Sequence, residues 1–266
     1  MLGAIIGDIA GSRFEFNNYR AKDFTFFTGE CCFTDDTVMS LAICAAILAC
    51  EGNYSNLGQL TVQKMQEIGR PYPYCGYGGR FYSWMYTENP QPYNSYGNGA
   101  AMRVSGCGFA ASSLEEAKSL ARQVTEVTHN HPEGLKGAEA TAVAIYLLRS
   151  GYTKEQLRSY IVEHYYPMNF TIASIRRTYE FNETCQDTVP QALEAFLETK
   201  NFEDAIRNAV SVGGDSDTMA AITGGLAEAF FGIPEQLRKR ALIYLDERLL
   251  KILQAFEKKY PGKVSK

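Results

Sequence analysis

The sequence predicts an all-α fold in one domain spanning 1–266, on three observations. Apolar residues recur at helical spacing in nearly every long segment. Sustained period-two alternation is almost absent, and no repeat of fixed period occurs. Helix-start signals separate the segments, and the connections are short. At 266 residues the chain is long enough to bury a substantial core.

Leu2, Ile5, Ile6 and Ile9 form the apolar face of a buried first helix, with small residues between them permitting close approach to a neighbour. Gly11 to Phe16 leaves that helix as a loop. Asp36 to Cys50 is apolar nearly all round and so central to the core. Leu57 to Ile68 is amphipathic. A short helix is predicted around Gly79 to Tyr86. Further helices are predicted over Ser113–Thr128, Gly134–Ser150, Thr153–His164, Gln186–Thr199, Phe202–Val210, Thr218–Phe231 and Glu235–Lys258. Ser113 with Glu116, and Thr153 with Gln156, read as capping boxes.

Composition narrows the function. A formal net charge of −4 with no basic stripe excludes a general nucleic-acid binder. Seven cysteines without a C-x-x-C fit reduced thiols in a cytoplasmic protein. The apolar N-terminus lacks a basic region and meets Asp8 early, so it does not read as a signal peptide. No uncharged run is long enough to cross a membrane.

Two distant stretches carry the chemistry: Thr34-Asp35-Asp36-Thr37 and Gly213-Gly214-Asp215-Ser216-Asp217-Thr218. Taken singly, either could be a helix start, since aspartate favours the N-cap. Residues two apart on a helix point roughly 200° apart, so Asp215 and Asp217 converge only if the first lies in the glycine loop. Four gathered carboxylates need a cancelling charge. No Lys or Arg occurs between Lys22 and Lys64 or between Arg207 and Arg238, so a bound divalent cation, and with four carboxylates a pair of them, is the expected counter-charge. Aspartate and threonine oxygens suit magnesium or manganese over zinc or copper.

Other residues leave two readings each. Glu15 between Phe14 and Phe16 is either a solvated loop charge or a carboxylate of raised pKa suited to proton transfer. Asp8 reads as a buried, hydrogen-bonded anchor. His129 and His131 form an isolated H-x-H, in a structural or substrate-contacting role. Arg70 to Gly99 holds seven tyrosines, five glycines and four prolines: a rigid surface loop, or an aromatic platform for a base or ribose.

Taken in order, Gly7-Asp8-x-x-Gly11-Ser12-x-x-Glu15, Thr34 to Thr37, Ser95-Tyr96-Gly97-Asn98-Gly99-Ala100-Ala101-Met102-Arg103, Thr128-His129 and Gly213 to Thr218 closely resemble the ADP-ribosylglycohydrolase family. The resemblance implies an orthogonal helical bundle with a binuclear magnesium or manganese centre on loops at helix ends. It implies Thr34, Asp35, Asp36, Asp215, Asp217 and Thr218 as ligands, with Glu15 or Asp36 moving the proton. Ser95, Tyr96, Gly97, Asn98 and Gly99 would wrap the diphosphate and distal ribose, Tyr96 stacking. Gly76 and Gly78 would add a glycine-rich contact, and His129 would line the pocket. The implied activity is hydrolysis of the C1″ glycosidic bond of an ADP-ribosylated protein or other ADP-ribose conjugate. Separately from the resemblance, a monomer is the expected state. Two rivals remain. A catalytically silent ADP-ribose-binding module would keep the pocket without turnover. An isoprenoid synthase would need a D-D-x-x-D, but Met39 stands where its last aspartate belongs.

Overall fold

The computed structural model describes residues 1–263; Val264 to Lys266, the end of the domain expected over 1–266, lie outside the described residues. Fifteen α-helices carry the described chain, with two short 3-10 helices, Ser12–Phe14 inside the stretch expected as a loop and Tyr54–Asn56, no extended strand among the described residues and one isolated bridge between Gly97 and Thr184. They are α1 (Leu2–Gly11), α2 (Asp35–Ala49), α3 (Leu57–Gly69), α4 (Gly79–Tyr86), α5 (Gly99–Met102), α6 (Ser105–Ala110), α7 (Leu114–Thr125) and α8 (Pro132–Arg149). Then follow α9 (Lys154–His164), α10 (Ile172–Ile175), α11 (Cys185–Leu197), α12 (Phe202–Val210), α13 (Ser216–Phe231), α14 (Glu235–Leu242) and α15 (Glu247–Lys259). No helix among the described residues is long and apolar enough to cross a membrane.

Helices α1 and α13 form the centre, and both are buried along almost their whole length. Glycines four residues apart let their backbones touch. A Cβ at Gly7 would sit 1.9 Å from the Ala220 carbonyl oxygen, one at Gly3 2.3 Å from that of Gly224, and one at Gly11 2.6 Å from the Asp217 Cα. The helix cost of these glycines, about 1 kcal/mol each, is offset by the packing they allow. Glu228 on α13 accepts a hydrogen bond from the Gly3 N–H (2.7 Å), satisfying one of the free donors at the start of α1.

The predicted helices start within two residues of their sequence signals, α5, α6 and α10 have no counterpart among them, and two signals differ in detail. Thr153 and Gln156 complete a reciprocal capping box. At Ser113 only half of it forms: Ser113 accepts from the Glu116 N–H, but the Glu116 carboxylate turns to the N–H and hydroxyl of Ser112. The helix expected over Glu235–Lys258 is broken, because Asp246 accepts from the Leu249 N–H and starts α15 afresh. All seven cysteines are free; Cys32 is exposed and Cys75 half-buried, and the others lie in the core.

The α1–α13 contact is testable by adding one methyl. Gly7→Ala should lower the melting temperature by several degrees, since backbone atoms of α13 cannot yield as a flexible side chain would. Gly29→Ala, with nothing within 4 Å of the new Cβ, should melt within about a degree of the parent in calorimetry.

Candidate active site

Asp8 organises the site without lining it. Fully buried in α1, it accepts hydrogen bonds from the Thr34 N–H (3.0 Å), the Thr34 hydroxyl (2.8 Å), the Thr37 N–H (3.1 Å) and the Thr37 hydroxyl. These bonds hold the first turn of α2 against α1. Asp35 and Asp36 therefore project from a fixed place. A second tie reaches the other stretch. The Asn18 side chain accepts from the Gly214 N–H (3.0 Å), linking the loop after Glu15 to the Gly-Gly turn. Gly213 and Gly214 have φ of +82° and +69°, a conformation glycine adopts without strain.

The two acidic stretches meet. The Thr218 hydroxyl donates to Asp36 Oδ2 at 3.0 Å across 182 residues of sequence. Asp215 lies before α13 in a non-helical conformation (φ −70°, ψ 77°), while Asp217 stands in the helix's first turn. Carboxylate oxygens of Glu15, Asp215 and Asp217 all fall within 4.8 Å of one another. Asn98 donates to Asp215 Oδ2 at 2.7 Å. Asp35 and Asp36 line the same cavity of about 290 Å³ as Asp215, Asp217 and Thr218.

Packing so many carboxylates in the interior raises their affinity for positive charge. Burial first, then the neighbouring aspartates, pushes Asp35, Asp36 and Asp217 well above the usual carboxylate range, and burial raises Asp215. Glu15 is pushed up to about 7, by desolvation first and then by Asp215, Asp8 and Glu183. Asp8 rises to about 6 because burial outweighs its hydrogen bonds. Asp36 Oδ1 and Asp217 Oδ1 are buried without a hydrogen-bond partner. Orphaned carboxylate oxygens are rare and costly. A hard dication fits both: it would accept these oxygens as ligands and remove the repulsion that raises the pKa values.

The remaining expected residues divide. Gly76, Gly78, Ser95, Gly97, Asn98, Gly99 and His129 line the cavity. Tyr96 stands outside it, half-exposed beside His131 (5.1 Å) in an adjoining depression that shares Arg80, Ser95, Gly97 and Glu183 with the cavity. Thr34 does not line the cavity either. Its side chain caps α2, accepting from the Asp36 N–H (3.2 Å) while donating to Asp8, so one lone pair remains. The H-x-H pair splits as well: His131 caps α8 by accepting from the Glu133 N–H (3.1 Å), and only His129 reaches the cavity. Within the tyrosine-rich segment Phe81 and Tyr93 line the cavity, whereas Tyr74, Tyr82 and Tyr86 face solvent.

Arg80, Arg103 and Glu183 also line the cavity, and sequence reasoning gave them no role. Arg103 stood inside a matched motif and was the one signal on offer. Arg103 is 1 % exposed, and its guanidinium bonds to Thr128 and His129.

With this geometry in view, comparison with known proteins identifies the family. The ADP-ribosylglycohydrolase family profile matches residues 1–262, and the chain belongs to that family. It is 24 % identical to human ADP-ribosylhydrolase ARH3 over 314 residues, covering 88 % of this chain and 85 % of that protein. It is 26 % identical to the ADP-ribosylarginine hydrolase Tri1 of Pseudomonas putida over 276 residues, covering 91 % and 73 %. A solved structure, an ADP-ribosylglycohydrolase-related protein complex, superposes with a TM-score of 0.70 at 25 % identity, covering 97 % of this chain and 95 % of that one. The family and the names of these relatives indicate an ADP-ribosyl hydrolase.

The raised carboxylates set a pH signature. A carboxyl whose folded pKa lies above its unfolded value stabilises the fold at low pH and loses that contribution as pH rises through the folded value. For Asp8 and Glu15 the loss runs from the ordinary range up to about 6 and about 7. Chelator-treated protein should therefore melt lower at about pH 7.5 than at about pH 5. Added manganese or magnesium should raise the melting temperature more at the higher pH.

Proposed function

We propose that the protein is a metal-dependent hydrolase that cleaves the C1″ glycosidic bond of ADP-ribose conjugates and releases ADP-ribose. One observation carries the reading: two acidic turns 182 residues apart converge beside Glu15, leaving buried carboxylate oxygens unpartnered. Asp35, Asp36, Asp215, Asp217 and Thr218 would hold two magnesium or manganese ions, and Thr34 could add only its remaining lone pair. Such ions supply Lewis acidity and an anchor for vicinal ribose hydroxyls.

The chain's own groups do the rest. Glu15, half-buried and pushed up to about 7, can take a proton from the attacking water and return one to the leaving group near neutral pH. Asp36 is the second candidate for that transfer. Water contributes its hydroxyl to C1″ and its proton to the departing acceptor, so the reaction balances without a further reagent. The surrounding carboxylates favour the positive charge that builds on the sugar in the transition state. Glycines at 76, 78, 97 and 99 let the backbone approach a diphosphate closely, and Asn98 is already oriented by Thr188 (3.2 Å) and Asp215. Tyr96 in its adjoining depression would stack on the part of the ligand that overflows a cavity of about 290 Å³. The unpaired thiols support a reducing, cytoplasmic setting.

The test is a substrate panel. Purified protein with magnesium or manganese is offered arginine-linked, serine-linked, nucleic-acid-linked and small-molecule ADP-ribose, and free ADP-ribose is measured. Release from at least one substrate, abolished by chelation and by Asp217→Ala, is expected. Binding of ADP-ribose with no release from any would leave a silent binding module instead. Asp217→Ala should still fold, because it removes a charge that burial and Asp215 already disfavour. Glu15→Gln should lower kcat by about 10²–10⁴-fold with ADP-ribose affinity largely kept; unchanged kcat would remove Glu15 from proton transfer.

A further inference from the structure

His129 is 5 % exposed and sits at the end of a chain of donors. The Arg103 guanidinium donates from one nitrogen to the Thr128 hydroxyl at 2.6 Å. That hydroxyl lies 2.7 Å from His129 Nδ1, and the same Arg103 nitrogen lies 3.3 Å from it. Arginine is a donor only. A proton on Nδ1 would go to the Thr128 hydroxyl oxygen while facing the cationic Arg103 N–H at 3.3 Å, and the hydroxyl's own proton would be left with the Thr125 carbonyl at 3.5 Å, the outer limit for a hydrogen bond. With Nδ1 bare, both donors are satisfied. The opposite ring nitrogen faces the glycine loop: a Cβ would lie 3.4 Å from Nε2 at Gly99 and 3.6 Å at Gly97.

We propose that Arg103 and Thr128 are positioning residues that lock His129 as the neutral Nε2–H tautomer, so that the imidazole is a fixed hydrogen-bond donor to a ligand oxygen in the Gly97–Gly99 loop. The ligand part of this inference rests on the proposed function; the tautomer is a property of the chain alone. The charged and titratable groups facing the ring agree with it. Arg103 and Arg80 oppose an imidazolium, burial opposes it more strongly, and the Tyr93 ring at 5.9 Å brings no negative charge while its hydroxyl stays protonated. Glu15 and Glu183 line the same cavity, yet neither bonds to the ring. His129 thus donates without exchanging protons, which leaves proton transfer to carboxylates. It also explains a buried arginine whose bonded partners are a hydroxyl and an imidazole and not a carboxylate. Arg103 works through the ring it orients.

Nitrogen-15 spectra of the histidine-labelled full chain read the tautomer directly, with His129 assigned by its loss in His129→Gln. A bare Nδ1 and a protonated Nε2 are expected, unchanged from about pH 5 to about pH 8, the range in which an ordinary histidine titrates. An Nδ1–H tautomer, or an imidazolium forming in that range, overturns the proposal. Thr128→Val should shift the Nδ1 signal and weaken ADP-ribose binding about tenfold, the scale of one hydrogen bond, and Thr128→Ser should restore both. An unshifted Nδ1 signal in folded Thr128→Val also overturns it, and if that variant does not fold, the parent spectrum alone decides. Failure of the parent chain to bind ADP-ribose would count against the proposed function and leave the spectral result to judge the tautomer.

Discussion

The backbone contact between α1 and α13 is the constraint from which the site follows. Glycine on one face of α1 brings its end onto the first turn of α13, so the loop carrying Glu15 emerges beside Asp215 and Asp217. Asp8, one residue after the closest approach at Gly7, spends its carboxylate on the first turn of α2 and delivers Asp35 and Asp36 to the same place. One ten-residue helix thereby registers both acidic stretches. Rigid helices with short, hydrogen-bonded turns hold the oxygens more tightly than free loops would.

This arrangement is expensive by the usual rules of a protein interior. Charged groups are buried close together, with neighbours of like sign and few donors to share. Folding alone gives no reason to keep them. A ligand cation does, because the same crowding that disfavours ionisation in isolation becomes affinity once positive charge is present. The cavity's other wall is different in kind. There glycines and the positive charges of Arg80 and Arg103 join the lining, which suits an anionic ligand segment.

Much of this was legible in sequence, and the limits have physical causes. Phe202–Val210 and Gly79–Tyr86 were read at their observed bounds, since local periodicity and glycine punctuation decide them. The all-α class followed from the same periodicity. That Asp215 must leave the helix for Asp217 to join it followed from helical geometry, and the structure has that conformation. Long-range partners were not legible. Nothing local reveals that Thr34 would give its hydroxyl to Asp8, or that Tyr96 would turn toward His131 and away from the main cavity. Arg80 and Arg103 were passed over because an arginine's role depends on what the fold places opposite it. The break in Glu235–Lys258 hides for a related reason: Asp246 is a good cap, but helical residues on both sides mask it.

A hard cation shared between the two acidic turns would account for their convergence and their unpartnered oxygens. Anomalous scattering from crystals grown with manganese measures that without reference to turnover. Manganese is expected between Asp35–Asp36 and Asp215–Asp217, within ligand distance of Asp36 Oδ1 and Asp217 Oδ1. Well-ordered crystals showing no anomalous density there, with those oxygens satisfied by water or protein donors, would contradict it.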